Sequence, residues 1–294
     1  MSAYTLESAI GTLGNRVLQK TKIIHDSLGK AGEEYVRKNQ HREKALLADI
    51  ECESVVLEIL KRSGLSMLVH SEEHGKVFLG IGKPEFTAFL DGLDGSAVYK
   101  KERGSGRYGT MLGIYKGNDP DYGDYLFGGV MEHSTDRLFY AVAGRGSWVV
   151  ENGRKSRVRT AQADSLNPAE VRMQANTHFD WLFDSQVITG MLSKLPGFEY
   201  KSMNCSAVHV IDLASGDTDV MLEATRKGNL EFAAGFPLIS EAGGILMDIR
   251  GRDLRDLKIS EFGQDGYYPV IGLANPGLRQ PFLDLVKAAE KTQK

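Results

Sequence analysis

The chain has 294 residues, of which 41% are hydrophobic and 26% are charged, and this composition excludes disordered, collagen-like and coiled-coil proteins. Its 36 basic and 39 acidic residues leave a net charge of -3, so we expect neither a nucleic-acid partner nor a membrane partner. The length predicts about two domains with cores that need no disulfide bond. Cys52 and Cys205 lie in no metal-binding pattern and the first residues lack a signal-peptide pattern, so we expect a reduced, cytoplasmic protein.

The first half of the chain predicts two helices packed on a mainly antiparallel sheet. Apolar residues recur at helical spacing from Leu6 to Val17 and again from Leu47 to Leu60, and Gly64 is placed to end the second helix. Short apolar runs predict strands at residues 65–69, 76–81, 86–90, 110–115, 125–131, 138–142 and 147–150. Residues 1–156 are therefore predicted to form an α+β domain.

The second half predicts a layered α/β domain over residues 157–294. Strands are expected at residues 171–175, 219–222, 245–249 and 269–274, and helices at residues 179–195, 206–214, 231–242 and 278–290. The basic and weakly apolar stretch of residues 152–159 is the predicted boundary between the two domains.

Acidic residues are concentrated in three places, each beside a glycine or at the end of an apolar run. These are Glu72-Glu73, Asp91-Gly-Leu-Asp94-Gly-Ser, and Glu231 at the start of a predicted helix. Acidic side chains at strand ends reach the crevice in which α/β proteins build their sites. Carboxylates that meet there require a cation, and hard oxygen ligands suit Mg²⁺. Taken alone, however, the two Asp-Gly pairs are more typical of turns that bind nothing.

These segments resemble the motifs of the inositol monophosphatase and fructose-1,6-bisphosphatase superfamily, and most of all its archaeal-type members that act on both substrates. The motifs are Glu72-Glu73, Asp91-Gly-Leu-Asp94-Gly-Ser96, Cys205-Ser-Ala207, Glu231-Phe-Ala-Ala-Gly235 and Ser240-Glu-Ala-Gly-Gly244, preceded by Asp49. The resemblance covers nearly the whole chain. It implies a layered αβαβα sandwich and a cytoplasmic homodimer.

The resemblance also implies roles for individual residues. Two or three Mg²⁺ ions would be held by Glu72, Asp91, Asp94, Glu231 and the carbonyl of Leu93. Glu72 and Ser96, with Ser96 linked to Asp49, would position and deprotonate the attacking water. The substrate would be bound by Gly95 and Ser96 at its phosphate and elsewhere by Ser206, Ala207, Glu223 and Arg226.

The implied function is hydrolysis of a small sugar or polyol phosphate, inositol 1-phosphate or fructose 1,6-bisphosphate, by water that Mg²⁺ activates. Two alternatives stay open: a phosphatase for 3′-phosphoadenosine phosphate or a dinucleotide phosphate, and a non-catalytic regulator that binds phosphorylated metabolites. The second alternative is motivated by two departures from the family motifs. Gly92 replaces a proline and is expected to loosen the turn, and Glu231 replaces an aspartate and is expected to shift a metal ligand.

Three further features have ordinary explanations beside the functional ones. The GxGxxG pattern at residues 104–109 lacks the flanking strand and helix of a dinucleotide-binding loop, so we expect a flexible basic loop whose Arg107 either meets phosphate or is solvated. Cys205 at a helix start has no adjacent base, which favours a packing role. Arg226 and Lys227 either bind a second phosphate or form a solvated turn.

Overall fold

The described part of the fold contains two large β-sheets, a small hairpin and six α-helices. The computed structural model describes residues 5–162, 172–175, 199–202, 204–224, 229–262 and 268–292. The helices are α1 (Leu6–Leu28), α2 (Leu47–Arg62), α3 (Ser96–Glu102), α4 (Ser206–Ser215), α5 (Leu230–Ala242) and α6 (Arg279–Thr292). The strands are β1 (Tyr35–Lys38), β2 (Lys44–Leu46), β3 (Met67–Ser71), β4 (Gly75–Leu79), β5 (Phe86–Asp94), β6 (Gly109–Lys116), β7 (Tyr125–Glu132), β8 (Arg137–Val142), β9 (Gly146–Glu151), β10 (Arg154–Val158), β11 (Arg172–Ala175), β12 (Glu199–Ser202), β13 (Val220–Ala224), β14 (Ile245–Asp248) and β15 (Pro269–Leu273).

The first sheet carries α1 and α2 on one face. Its strand order is β10-β9-β8-β7-β6-β5-β3-β4, and neighbouring strands are antiparallel except β3 and β5, which run parallel. Val17 and Leu18 of α1 and Val56 of α2 are buried in one apolar cluster with the sheet. A β-carbon on Gly14 of α1 would lie 2.4 Å from the ring of Phe127, so the missing side chain lets the helix approach the sheet. The predicted pair of helices on a mainly antiparallel sheet is confirmed.

The second sheet and α5 complete the layers. The sheet has the order β12-β11-β13-β15-β14, in which β11 is parallel to β12 and β13, and β15 is antiparallel to β13 and β14. Helix α5 contacts strands β5 to β9 of the first sheet and β14 of the second. Every residue from Leu230 to Ile239 is buried, as expected for a helix enclosed on all sides. The layered α/β architecture predicted from the sequence is confirmed.

The structure departs from the predicted elements mainly where strands are exposed. The hairpin β1-β2 and the strands β10 and β12 were not predicted from the apolar patterns. All four residues of β1 and the first four of β10 are exposed, so neither shows the alternation that marks a half-buried strand. The predicted helix at residues 179–195 lies outside the described residues.

The stretch predicted as the domain boundary is the last hairpin of the first sheet. Asn152 and Gly153 have φ values of 49° and 72°, as an Asn-Gly turn between antiparallel strands requires, and β10 pairs with β9 beyond that turn. Strand β10, paired with β9, spans the proposed boundary. The division into residues 1–156 and 157–294 stays a prediction. In the ranges described, no helix is both long enough and apolar enough to cross a membrane.

Candidate metal centre

Parallel pairing of β3 and β5 brings the first two acidic segments together. Ser71, the last residue of β3, pairs with Leu90 of β5, and the N–H of Glu72 donates to the Leu90 carbonyl at 3.1 Å. The carboxyl ends of parallel strands meet at one edge of a sheet. Glu72 and Asp91 therefore follow adjacent positions on neighbouring strands.

Residues 91–94 continue β5 instead of forming the turns that the Asp-Gly pairs suggested. The pairing of β5 with β6 shifts register between Asp91 and Asp94. An irregularity of this kind re-aims a side chain that strict alternation would send to the opposite face, which explains how two aspartates three positions apart reach one site. Gly95, with a φ of 86°, then ends the strand, and α3 begins at Ser96.

Asp91, Asp94 and Glu231 form one buried group of carboxylates. Each offers an oxygen, and these oxygens lie within 4.8 Å of one another. Three negative charges at such separations repel strongly in a buried site, so a cation or bound protons must offset them. The donor set consists of oxygen atoms alone and fits a hard divalent ion such as Mg²⁺. The extra methylene of Glu231 therefore does not exclude it from the group, and the expected shift of this ligand stays a prediction.

Asp94 is also tied to the start of α4. Its Oδ2 accepts a hydrogen bond from the N–H of Ala207 at 2.6 Å and one from the Cys205 thiol at 3.1 Å. Burial, with Asp94 nearby, raises the pKa of the Cys205 thiol well above its ordinary value, so Cys205 stays protonated and acts as a donor. The expected contact of the Ala207 backbone with substrate is corrected here, because that N–H is given to Asp94.

Glu72 lies outside the group of three carboxylates, and its side chain is held by Asn39. The side-chain amide of Asn39 lies 3.2 Å from Glu72 Oε1 and 3.0 Å from Glu73 Oε1 and donates to both. Asn39 is buried in the β1-β2 hairpin, which the sequence analysis missed. The two glutamates are thus oriented by one amide that has no counterpart in the predicted site.

Glu53 on α2 was also missed. This fully buried carboxylate accepts from Glu72 N and Glu73 N, each at 3.0 Å, and from the Ser71 hydroxyl, and it lies 2.9 Å from His74 Nδ1. Burial raises the pKa of Glu53 and the hydrogen bonds oppose that rise. Glu53 therefore anchors the turn that carries Glu72. Glu53 stands one helical turn after Asp49 on the same face of α2. This spacing could have shown from the sequence that Glu53 lies near the site.

The predicted link between Asp49 and Ser96 is not formed. Asp49 Oδ2 accepts from the backbone N–H of Leu46 at 2.7 Å, and in the described ranges the Ser96 side chain makes no hydrogen bond to Asp49. The first N–H groups of a helix lack partners within the helix, and an acidic residue in the first turn satisfies one of the donors there. Asp49 therefore fixes the start of α2. The expected link to Ser96 is corrected, and the catalytic role of Asp49 stays a prediction.

Gly92 lies at a point of close contact between β5 and α2. A β-carbon at this position would lie 2.3 Å from the Asp49 carbonyl oxygen and 2.7 Å from Glu53 Cγ. Side chains do not fit at such distances, so a proline, as in the family motif, would push α2 away from β5. The residue is a point of close packing, and the expected loosening of the turn stays a prediction.

Ser206 and Glu223 lie on elements that pack on or belong to the second sheet. Ser206 opens α4 and is buried, and Glu223 on β13 is buried and hydrogen-bonded to His209 Nδ1. Arg226, like Lys227, lies outside the described residues.

Arg107 forms ion pairs of 2.5 Å with Glu132 and 2.8 Å with Asp212. Its guanidinium is therefore engaged, and the phosphate contact considered for it is not supported.

Comparisons with known proteins agree with this geometry. A model of the inositol monophosphatase family matches residues 3–276. The chain is 28% identical over 259 residues to the fructose-1,6-bisphosphatase/inositol-1-monophosphatase of Thermococcus kodakarensis, with 88% of each chain covered. It is 24% identical to the inositol monophosphatase of Mesembryanthemum crystallinum, covering 90% of this chain and 94% of that protein. The extragenic suppressor protein SuhB of Bartonella henselae shares the fold, with a TM-score of 0.74 at 18% identity over 95% of this chain and 99% of that one.

Proposed function

Because this chain belongs to the inositol monophosphatase family and is therefore a phosphatase, we propose that it hydrolyses inositol 1-phosphate, fructose 1,6-bisphosphate or both with the help of Mg²⁺. The observation that carries this proposal is the buried group of Asp91, Asp94 and Glu231, whose oxygens lie within 4.8 Å of one another. The relative from Thermococcus kodakarensis is named for both activities, which supports the choice of the two substrates.

Two or three Mg²⁺ ions are proposed. Asp91, Asp94 and Glu231 would hold one ion, and Asp91 with Glu72 and the Leu93 carbonyl would hold another. When bound, Mg²⁺ supplies positive charge to the phosphate and lowers the pKa of water. Glu72 is the best candidate to accept the proton that the attacking water loses, because it lies beside Asp91 but outside the group of three. Asn39 fixes its orientation through a hydrogen bond of 3.2 Å.

The phosphate is proposed to bind at the start of α3, where Gly95 and Ser96 carry backbone N–H groups at the beginning of a helix. The half-buried Ser96 hydroxyl would assist Glu72 in holding the water. Glu223, fixed by His209, and Ser206 are proposed to contact the sugar hydroxyls. The proposed location is the cytoplasm, and the proposed assembly is a homodimer.

The test is phosphate release from purified protein supplied with inositol 1-phosphate or fructose 1,6-bisphosphate, with and without Mg²⁺. Asp94→Asn should lower kcat by more than about 100-fold, beyond the usual effect of residues that only support a metal ligand. The control is Asp136→Asn, because Asp136 is exposed and its φ of 54° suits asparagine.

A folded protein that releases no phosphate from either substrate with Mg²⁺ or Mn²⁺ would contradict the proposal. Preferential hydrolysis of 3′-phosphoadenosine phosphate or a dinucleotide phosphate would move the substrate to the alternative class. Tight binding of these compounds without any release would identify a regulator. Full activity of Asp94→Asn would show that the metal lies elsewhere.

A further inference from the structure

A buried threonine and histidine lie behind the segment that carries Asp91 and Asp94. Thr110, on the neighbouring strand β6, places its Oγ1 2.7 Å from the Gly92 carbonyl oxygen and 2.8 Å from His133 Nε2. Thr110 is 0% exposed and His133 is 2% exposed. The three residues form a continuous hydrogen-bonded chain that ends on the backbone between the two aspartates.

The chemistry of the three groups fixes where the hydrogen atoms lie. A carbonyl oxygen only accepts, so the single hydroxyl hydrogen of Thr110 is donated to Gly92. His133 Nε2 must therefore carry a hydrogen and donate it to Thr110 Oγ1. The other ring nitrogen, Nδ1, is then an acceptor, and no donor reaches it among the described residues. Burial lowers the pKa of His133 well below its usual value, in keeping with a neutral ring.

The His133 ring is held by a stacked neighbour, and its backbone is held by a hydrogen bond. The ring of His25 stacks on it with centroids 4.3 Å apart and an interplanar angle of 9°. The His133 backbone N–H donates to the Tyr108 carbonyl at 3.1 Å. A ring held in this way presents its Nε2–H in a single direction, and this makes it an effective anchor for a hydroxyl group.

Gly92 is the position at which such an anchor has an effect. The regular pairing of β5 with β6 is interrupted between Asp91 and Asp94, so the backbone at Gly92 lies outside the regular ladder. Glycine also has more conformational freedom than any other residue. The Thr110 hydroxyl supplies a buried hydrogen bond to this irregular stretch of β5, and rotation about Gly92 would break it.

We propose that Thr110 and His133 are positioning residues for the metal centre: they fix the Gly92 carbonyl so that Asp91, Leu93 and Asp94 present their oxygens together. This inference rests on the proposed function, because it assumes that those oxygens bind a divalent ion. It predicts that the hydroxyl of Thr110 contributes to metal affinity although it is bonded to a backbone carbonyl.

The experiment measures Mg²⁺ binding to substrate-free protein by isothermal titration calorimetry. Thr110→Val keeps the shape and removes the hydroxyl, and it should weaken Mg²⁺ binding about tenfold, the lower end of the effect of residues that orient metal ligands. Thr110→Ser keeps the hydroxyl and should restore affinity close to wild type. At saturating Mg²⁺ the KM for substrate should be unchanged in both variants.

The matched control is Thr87→Val on β5, the strand that carries Gly92. Thr87 is 1% exposed and its Oγ1 donates to the Gly117 carbonyl at 2.7 Å, a bond of the same kind at the opposite end of β5. This variant should lose stability and keep its Mg²⁺ affinity. His133→Phe, which retains Thr110, should weaken Mg²⁺ binding by less than Thr110→Val, and it provides the test if Thr110→Val does not fold.

Two results would overturn the inference while leaving the proposed function intact: wild-type Mg²⁺ affinity in Thr110→Val or His133→Phe, or an equal loss in Thr87→Val. A wild-type protein that neither binds Mg²⁺ nor releases phosphate would instead contradict the proposed function itself.

Discussion

Two buried acidic regions lie side by side in this protein and neutralise their charge in different ways. Glu53 is surrounded by donors from the protein: a hydroxyl, two backbone N–H groups and a histidine ring. In the group of Asp91, Asp94 and Glu231, the carboxylate oxygens face one another within 4.8 Å. Donors from the protein stabilise the first region, whereas the second is stable as a set of anions only around a cation.

The difference shows that burial and residue type do not distinguish a structural acid from a metal ligand. The direction in which the hydrogen-bond donors of the protein point does distinguish them. Around Glu53 the donors converge on one carboxylate, and several come from the turn that carries Glu72. Asp94 receives its donors on Oδ2 from one side, from Ala207 and Cys205. The same side-chain chemistry therefore serves folding at one site and the proposed ion binding at the other.

The largest effect on folding is expected from Glu53→Gln. The amide has nearly the shape of the carboxylate, but its NH₂ group would face N–H donors and leave at least one of them unsatisfied in the interior. We expect the free energy of unfolding to fall by about 2–4 kcal/mol. Denaturant unfolding at neutral pH measures this change.

The matched control is Glu58→Gln on the same helix. The Glu58 side chain is 56% exposed and pairs with Arg62 four residues on, so its loss should change stability by less than about 0.5 kcal/mol. If both variants lost equal stability, the donors around Glu53 would not be what distinguishes it.

Glu231→Gln tests the other half of the comparison. Removing one of three like charges should weaken Mg²⁺ binding by at least about tenfold, or about 1.4 kcal/mol, since a neutral amide oxygen replaces an anionic ligand. It should also raise the melting temperature of the protein in a chelator, because repulsion within the group is relieved. Calorimetric titration and thermal unfolding with and without Mg²⁺ measure the two changes.

Glu241→Gln at the opposite end of the same helix is the control for this pair of changes. Its carboxylate accepts from Gly144 N and Gly146 N, each at 2.7 Å, and from the Tyr125 hydroxyl at 2.8 Å. It resembles Glu53 in being satisfied by the protein. We therefore expect a loss of stability that is the same with and without Mg²⁺; a change in Mg²⁺ affinity would count against the comparison.

At neutral pH the smallest effect is expected from His70, which avoids buried charge in a third way, by losing its proton. Burial, with Lys76 acting in the same direction, lowers the pKa of His70 to about 4. The unfolded chain binds a proton near pH 6.5, whereas the folded chain does so only near pH 4. The stability contribution of His70 is therefore complete above pH 6.5 and is lost as the pH falls, by up to about 1.4 kcal/mol per pH unit.

This slope can be isolated by comparing wild type with His70→Gln in urea unfolding at pH 7, 6 and 5. The difference in unfolding free energy between the two proteins should shrink as the pH falls, because glutamine binds no proton. A difference that is constant over this range would show that His70 titrates alike in the folded and unfolded chains.

Apolar periodicity was sufficient to predict the elements that pack against the core. Helices α1 and α2 and the strands at the centre of the first sheet are half or fully buried, so their sequences carry the spacing of a buried face. The strands β1 and β10 are exposed at the edges. Their sequences are under no such constraint, and the Asn152-Gly153 turn was the only local indication of β10.

The site could be predicted in part because its acidic residues stand in family motifs. The residues that orient them stand in none. Asn39, Glu53 and Thr110 reach the metal-binding segments through tertiary contacts between strands and helices. Local spacing in the sequence does not encode such contacts.

The late position of α4 and α5 in the chain has a consequence for synthesis on the ribosome. The strands of the first sheet end at Val158, yet Glu231 and the Ala207 N–H that binds Asp94 emerge much later. A nascent chain that stops before α4 therefore carries two neighbouring aspartates with neither their third ligand nor their backbone donor. Ion capture is thus expected to follow translation of the C-terminal segment, so that a prematurely terminated product would be inactive.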